Sequence, residues 1–161
     1  MTCAVKAPSS PEAPSKVATR LFGVLELASL DRFHFPKGFP GFPAATDFAL
    51  LPAAPRGLAW LQSLNDESLA FLLVEPTVIA PHYSIADASR VELGRRECYA
   101  VVTLPRQPGA TAYANLRAPV LLNRTDRSGL QLLLDNPEWD FRYPFDLGPV
   151  INGSSSNGSS R

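Results

Sequence analysis

Sixteen prolines in a chain of 161 residues leave little room for long helices. An internal proline removes a backbone donor and costs a helix about 3 kcal/mol. Pro52, Pro76, Pro105 and Pro119 fall at the ends of apolar runs, and few prolines lie inside such runs. That placement favours a compact fold of short strands and fixed turns over a helical bundle. The length suits one domain with a real core, since a domain of this size buries roughly 70% of its unfolded surface. A hydrophobic content of 45% and a charged content of 19% are ordinary for a soluble globular protein.

Short apolar runs recur at 20–27, 48–51, 58–62, 70–74, 99–104, 120–123 and 130–134, each bounded by turn-forming residues. Gly23 inside the first run marks a bulge or a close backbone approach. Residues 32–35 alternate strictly, with Phe33 and Phe35 on one face and Arg32 and His34 on the other. The Gly- and Pro-punctuated stretch 37–42 must turn, and the polar segment 124–129 reads as a hairpin loop. Residues 86–93 make the best short helix. Eight or nine short strands at even spacing predict an all-β, antiparallel sheet system that curls on itself, with at most one or two short helices. Residues 1–17, rich in Ala, Pro and Ser, are expected to be a disordered leader, and 149–161, rich in Gly, Ser and Asn, a flexible tail. The domain between them spans 18–148.

Formal net charge is zero, which disfavours direct nucleic-acid binding. The charge is unevenly spread. From 64 to 89 there are four acidic side chains and no Lys or Arg; from 90 to 127 there are seven Arg against three acidic residues. The acidic stretch is either a solvated loop face or a surface suited to a basic partner. Cys3 and Cys98 cannot form a disulfide framework, and Cys98, leading into an apolar strand, reads as a buried free thiol. No run reaches the ~18 apolar residues of a membrane span, and the start lacks the pattern of a secretory signal, so a cytoplasmic protein is expected.

Motifs for chemistry are absent from the sequence: there is no phosphate-binding glycine loop, no C-x-x-C and no nucleophile elbow around Ser63 or Ser84. His34 and His82 lack ligand-like spacing, so no metal or other cofactor is expected. The segment 124–128, with Arg124, Thr125, Arg127 and Ser128, is the one candidate for a phosphate or flavin cluster. Two asparagines, Asn115 and Asn123, bracket an apolar segment read as a short strand at 115–117, a proline step and a buried strand. Gln131 follows eight residues on. Their amides suit recognition of a polypeptide backbone, or service to nearby loops. Gln62, between Leu61 and Ser63, has the same two readings. Phe39 and Phe42 are either core anchors or exposed contact aromatics, and Trp60 belongs to the core.

The run Asn115-Leu116-Arg117-Ala118-Pro119-Val120-Leu121-Leu122-Asn123 resembles the signature of the flagellar assembly factor FliW family. Three further segments resemble it in the same order: Phe35-Pro36-Lys37-Gly38-Phe39-Pro40-Gly41-Phe42; Trp60-Leu61-Gln62-Ser63 followed by Leu69-Ala70-Phe71 and Pro76; and Arg142-Tyr143-Pro144. Together they cover about 19–147. The resemblance implies a small barrel-like β domain with no enzymatic activity. It implies a monomeric, cytoplasmic binder of flagellin and of the translational regulator CsrA. Flagellin and CsrA would compete, and capture of CsrA would relieve repression of flagellin translation. A flagellin-specific chaperone without a CsrA partner is the alternative, and a flavin-binding barrel a more distant one. The positions expected to meet a partner are Gln62, Ser63, Glu75, Asn115, Leu116, Pro119, Asn123 and Gln131. On this reading Asn115→Ala and Gln62→Ala weaken partner binding and leave the thermal midpoint nearly unchanged.

Overall fold

The computed structural model describes residues 16–53, 57–85, 96–107 and 109–147. Both the expected helix at 86–93 and the tail from 149 onward lie outside these residues, as does all of the leader before Lys16. Strand β1 (Lys16–Thr19) takes in the last two residues of the stretch expected to be leader. It pairs antiparallel with β2 (Gly23–Glu26), so the apolar run 20–27 is a turn followed by a strand. The turn needs Gly23, whose φ is +71°. Thr19 Oγ1 donates to the Gly23 carbonyl and accepts from the Phe22 amide, which closes the hairpin.

Seven strands close a barrel. They are β3 (Asp31–His34), β4 (Asp47–Ala53), β5 (Leu58–Ser63), β6 (Ala70–Val74), β7 (Arg96–Thr103), β9 (Val120–Asn123) and β10 (Ser128–Gln131). The first half of β7 pairs with β9, and its last residues pair with β8 (Ala112–Ala114), which carries β11 (Tyr143–Phe145) at the edge. Every pairing is antiparallel except the closure. There β10 meets β3 in parallel at one register pair, Ser128 with His34, so the expectation of a purely antiparallel sheet is corrected. Helix is confined, among the described residues, to the four-residue α1 (Pro76–Ile79) and a 3-10 turn at Leu27–Ser29.

The period-two alternation of the strands divides the apolar residues into two cores. Phe33, Phe48, Leu50, Ala59, Leu61, Leu73, Tyr99, Val120 and Leu122 point into the barrel, joined by Phe35 and Phe39. The intervening residues Leu58, Leu72, Val74, Ala100 and Val102 point outward. Tyr83, Leu116, Leu134 and Trp139 from the connections cover them in a second core. A strand buried on both faces reads as a continuous apolar run, which explains 70–74. Gly129 lets the barrel close: a Cβ there would sit 2.4 Å from Cζ of Phe35.

Candidate partner-binding site

Four of the eight positions expected to meet a partner have no free surface. Gln62, Ser63, Leu116 and Pro119 are fully buried. Gln62 lies on the same strand face as Leu58 and Trp60, and its Nε2 donates to the carbonyls of Ser63 at 2.9 Å and Leu69 at 3.2 Å. Ser63 Oγ accepts from the amides of Asn65 and Asp66, both at 3.0 Å. The pair therefore staples the β5–β6 loop to the end of its own strand. Direct contact with a partner is corrected for these two: both side chains are fully buried, and Oε1 of Gln62, which has no partner, is buried with them.

The asparagine-bracketed run is likewise built into the architecture. Residues 115–119 form a turn instead of the expected short strand. Asn115 Oδ1 accepts from the Ala118 amide at 3.0 Å, and Gln131 Nε2 donates to the Ala118 carbonyl at 2.8 Å. Leu116 fills the second core, and its carbonyl accepts from Tyr83 Oη at 2.6 Å across 33 positions of chain. Pro119 sits where a missing amide costs nothing, while its carbonyl accepts from Leu132. Asn123 Oδ1 caps the β9–β10 turn through the amides of Thr125 and Asp126. Asn115, Asn123 and Gln131 remain half-buried. Glu75 alone of the eight is exposed, and its side chain makes no cap to α1.

Of the eight positions, Glu75 lines a groove. Glu75, Thr77, Tyr83, Ile85, Glu97 and Tyr99 line a cleft of about 380 Å³ between the end of β6 and the start of β7. Leu116 holds Tyr83 from behind, and the turn capped by Asn123 presents Arg124 to Glu97. Arg124 also pairs with Asp31, as does Arg127, and both guanidinium groups lie over the Phe33 ring. Burial, reinforced by the Glu97 charge, lifts the Tyr99 phenol above the ordinary tyrosine range, and burial lifts that of Tyr83. Burial pushes the Cys98 thiol up to about 12. The cleft thus offers two carboxylates and two protonated phenols, with no activated nucleophile. It can accept a cationic group, while the two phenol protons are already given to the Leu116 carbonyl and to Glu97. Glu97, Tyr83 and Tyr99 were not singled out from the sequence; the one signal was a carboxylate two residues before a tyrosine in an apolar strand.

The candidate phosphate cluster is otherwise occupied. Arg124 and Arg127 are committed to carboxylates, and Ser128 Oγ donates to Asp126. His34 pairs with Asp47 at 2.9 Å. Among the described residues no three His, Cys, Asp or Glu side chains gather as metal ligands would. No described helix is long and apolar enough to cross a membrane.

Comparison with known proteins agrees with this fold. Residues 16–145 match the family model described as FliW protein. The flagellar assembly factor FliW of Moorella thermoacetica is 36% identical over 136 residues, which cover 80% of this chain and 86% of that protein. FliW of Caldicellulosiruptor saccharolyticus is 32% identical, covering 80% and 89%. FliW of Thermotoga maritima is 31% identical, covering 75% and 87%. A crystal structure of the flagellar assembly factor FliW superposes with a TM-score of 0.68 at 29% identity, covering 80% of this chain and 95% of that one.

Proposed function

Because the chain belongs to the FliW family of flagellar assembly factors, we propose that it works by binding two proteins in competition. One is newly made flagellin and the other is the RNA-binding regulator CsrA. When flagellin is scarce, free chain captures CsrA and lifts its repression of flagellin translation. The switch needs no catalysis, only mass action: the free concentration of one ligand sets how much of the protein remains for the other. The site of action is the cytoplasm and the working form a monomer.

The observation that carries this reading is the acidic groove at Glu75 and Glu97. A protein that holds RNA phosphates must be basic where it holds them, and an acidic partner beside that surface disfavours RNA. Arg124 offsets part of the Glu97 charge, so Glu75, exposed to solvent, is the stronger attractor. The other motif residues act through position: Leu116 on Tyr83, Asn123 on the Arg124 turn, Gln62 and Ser63 on the β5–β6 loop.

Calorimetric titration of the purified chain with CsrA from the same organism, with and without saturating flagellin, tests the proposal. Heat with CsrA that flagellin abolishes is the expected result. Tight flagellin binding with no CsrA heat leaves a flagellin chaperone and removes the translational switch.

A further inference from the structure

The opposite end of β6 carries a second cleft, formed between the 38–45 and 63–69 loops. The 38–45 loop supplies one wall with Phe42 and Pro43. The 63–69 loop supplies the other with Asp66, Glu67 and Leu69, and Asn65 stands at the join. The cleft has a volume of about 530 Å³, within the range of small binding pockets.

Both walls are fixed in advance. At Gly38, φ is +72° and a Cβ would meet the Pro43 carbonyl oxygen at 2.4 Å, so the first loop admits only glycine there. Phe39 drives into the barrel and stacks on Phe71 with ring centres 4.3 Å apart. Phe42 rests edge-on against the same ring yet stays 44% exposed. Asn65 Oδ1 accepts from the amides of Thr46 and Asp47, both at 2.9 Å, and so ties the loops together. From below, Gln62 and Ser63 hold the second loop. A half-exposed aromatic carried on a fixed loop is the kind of group that carries binding energy.

We propose that this cleft docks a short linear segment of a partner protein, one bulky apolar side chain with a lysine or arginine beside it. The apolar side chain seats over Phe42 and Leu69. The cation meets Asp66 and Glu67, both exposed, with no basic residue among those lining the cleft. Backbone and hydroxyl hydrogen bonds from Ser68 hold the Asp66 carboxyl below its ordinary value. The acidic rim disfavours an anionic lipid surface and nucleic acid, which leaves polypeptide as the matching chemistry. This deepens the protein-binding reading and rests on it, but it concerns a surface away from Glu75.

Backbone amide chemical shifts of the isotope-labelled full chain, titrated with acetyl-Ser-Lys-Leu-Arg-Ser-amide, test it. Two control peptides replace the leucine by serine, or both cations by glutamate. Saturating shifts should gather at Phe42, Ala45, Asn65, Asp66 and Leu69, and both controls should lose them. Asp66→Asn with Glu67→Gln keeps the Ser68 contacts possible and should weaken binding about tenfold. The idea is overturned if those amides stay still up to about 5 mM peptide, an affinity too weak for a recognition site. It is also overturned if the glutamate peptide binds as well, if the double variant binds unchanged, or if the same shifts come from diluting the protein alone, which would make a second copy the occupant. Peptide docking in a chain that gives no heat with flagellin or CsrA sinks the functional reading and leaves the cleft standing; the reverse sinks the cleft alone.

Discussion

Gln62→Ala separates a structural amide from a contact residue, and its cost can be worked from the geometry. The side chain is fully buried and gives two good hydrogen bonds, to the carbonyls of Ser63 and Leu69, with a longer one to Glu67 at 3.4 Å. Each buried bond contributes about 0.5–1.5 kcal/mol net, so the two together give about 1–3. Truncation also leaves a void that its neighbours fill only in part. Against this, the variant removes Oε1, which has no partner and itself carries a penalty of about 1–3 kcal/mol. The void and the lost orphan roughly cancel, leaving a net loss of about 2 kcal/mol. For a domain of this size each kcal/mol lowers the midpoint by about 2–6 °C, so thermal unfolding followed by circular dichroism should shift by roughly 5–10 °C. Gln62→Met, which keeps volume and drops both the donors and the orphan, should lose less than the alanine. The simple sequence expectation of an unchanged midpoint is thereby reversed for this residue. A Gln62→Ala midpoint within about 1 °C of the parent would refute the stapling role.

Gly129→Ala places a methyl against the Phe35 ring where only 2.4 Å is available; urea unfolding should show a loss of about 1–3 kcal/mol. Arg124→Ala unlinks Asp31 from Glu97 at the closure of the barrel. With the Arg124 side chain 43% exposed the cost should be only about 0.5–1 kcal/mol, and it should shrink further in 0.5 M salt. Burial alone would raise the Asp47 carboxyl, but hydrogen bonds from His34, Thr46 and Asn65 outweigh it and hold the group below its ordinary value of 3.8. The stability it contributes is present above that value and lost as pH falls through the lowered one. Asp47→Asn should therefore lower stability on the neutral plateau and change it little at the acid end, which flattens the acid limb of the stability curve. With its thiol raised to about 12, Cys98 in a Cys3→Ser background should react with iodoacetamide at pH 8 about a thousandfold more slowly folded than unfolded.

What could be read from the sequence follows from how local each cause is. The alternation of Phe33 and Phe35 and the turn at 37–42 are short-range signals and stand where they were read, while the hairpin loop read at 124–129 is a turn at 124–127 with Ser128 and Gly129 already in β10. Strands β8 and β11 escaped notice because they have three residues each, with alanines in one and Pro144 in the other. They exist because Trp139, Leu134 and Tyr143 cover that face, a tertiary cause. Proline is tolerated in β11 because it lies at the sheet edge. The parallel closure rests on one register pair and leaves no periodic trace. α1, four residues long with Pro76 at its start, is too short to show a helical period. The candidate site divides the same way. Amides in apolar strands were visible as unusual, but whether an amide faces outward or back onto its own loop is decided by the fold, and at Gln62 it faces back.

The proposed switch stands most directly on Glu75, the exposed carboxylate of the acidic groove, whose side chain makes no cap to α1. Calorimetric titration of Glu75→Arg with CsrA, beside the parent chain, is the measurement to make. The account predicts a dissociation constant raised about tenfold or more, with a thermal midpoint within about 2 °C of the parent. Binding of CsrA at unchanged affinity by the variant, or no binding by the parent chain, would contradict it.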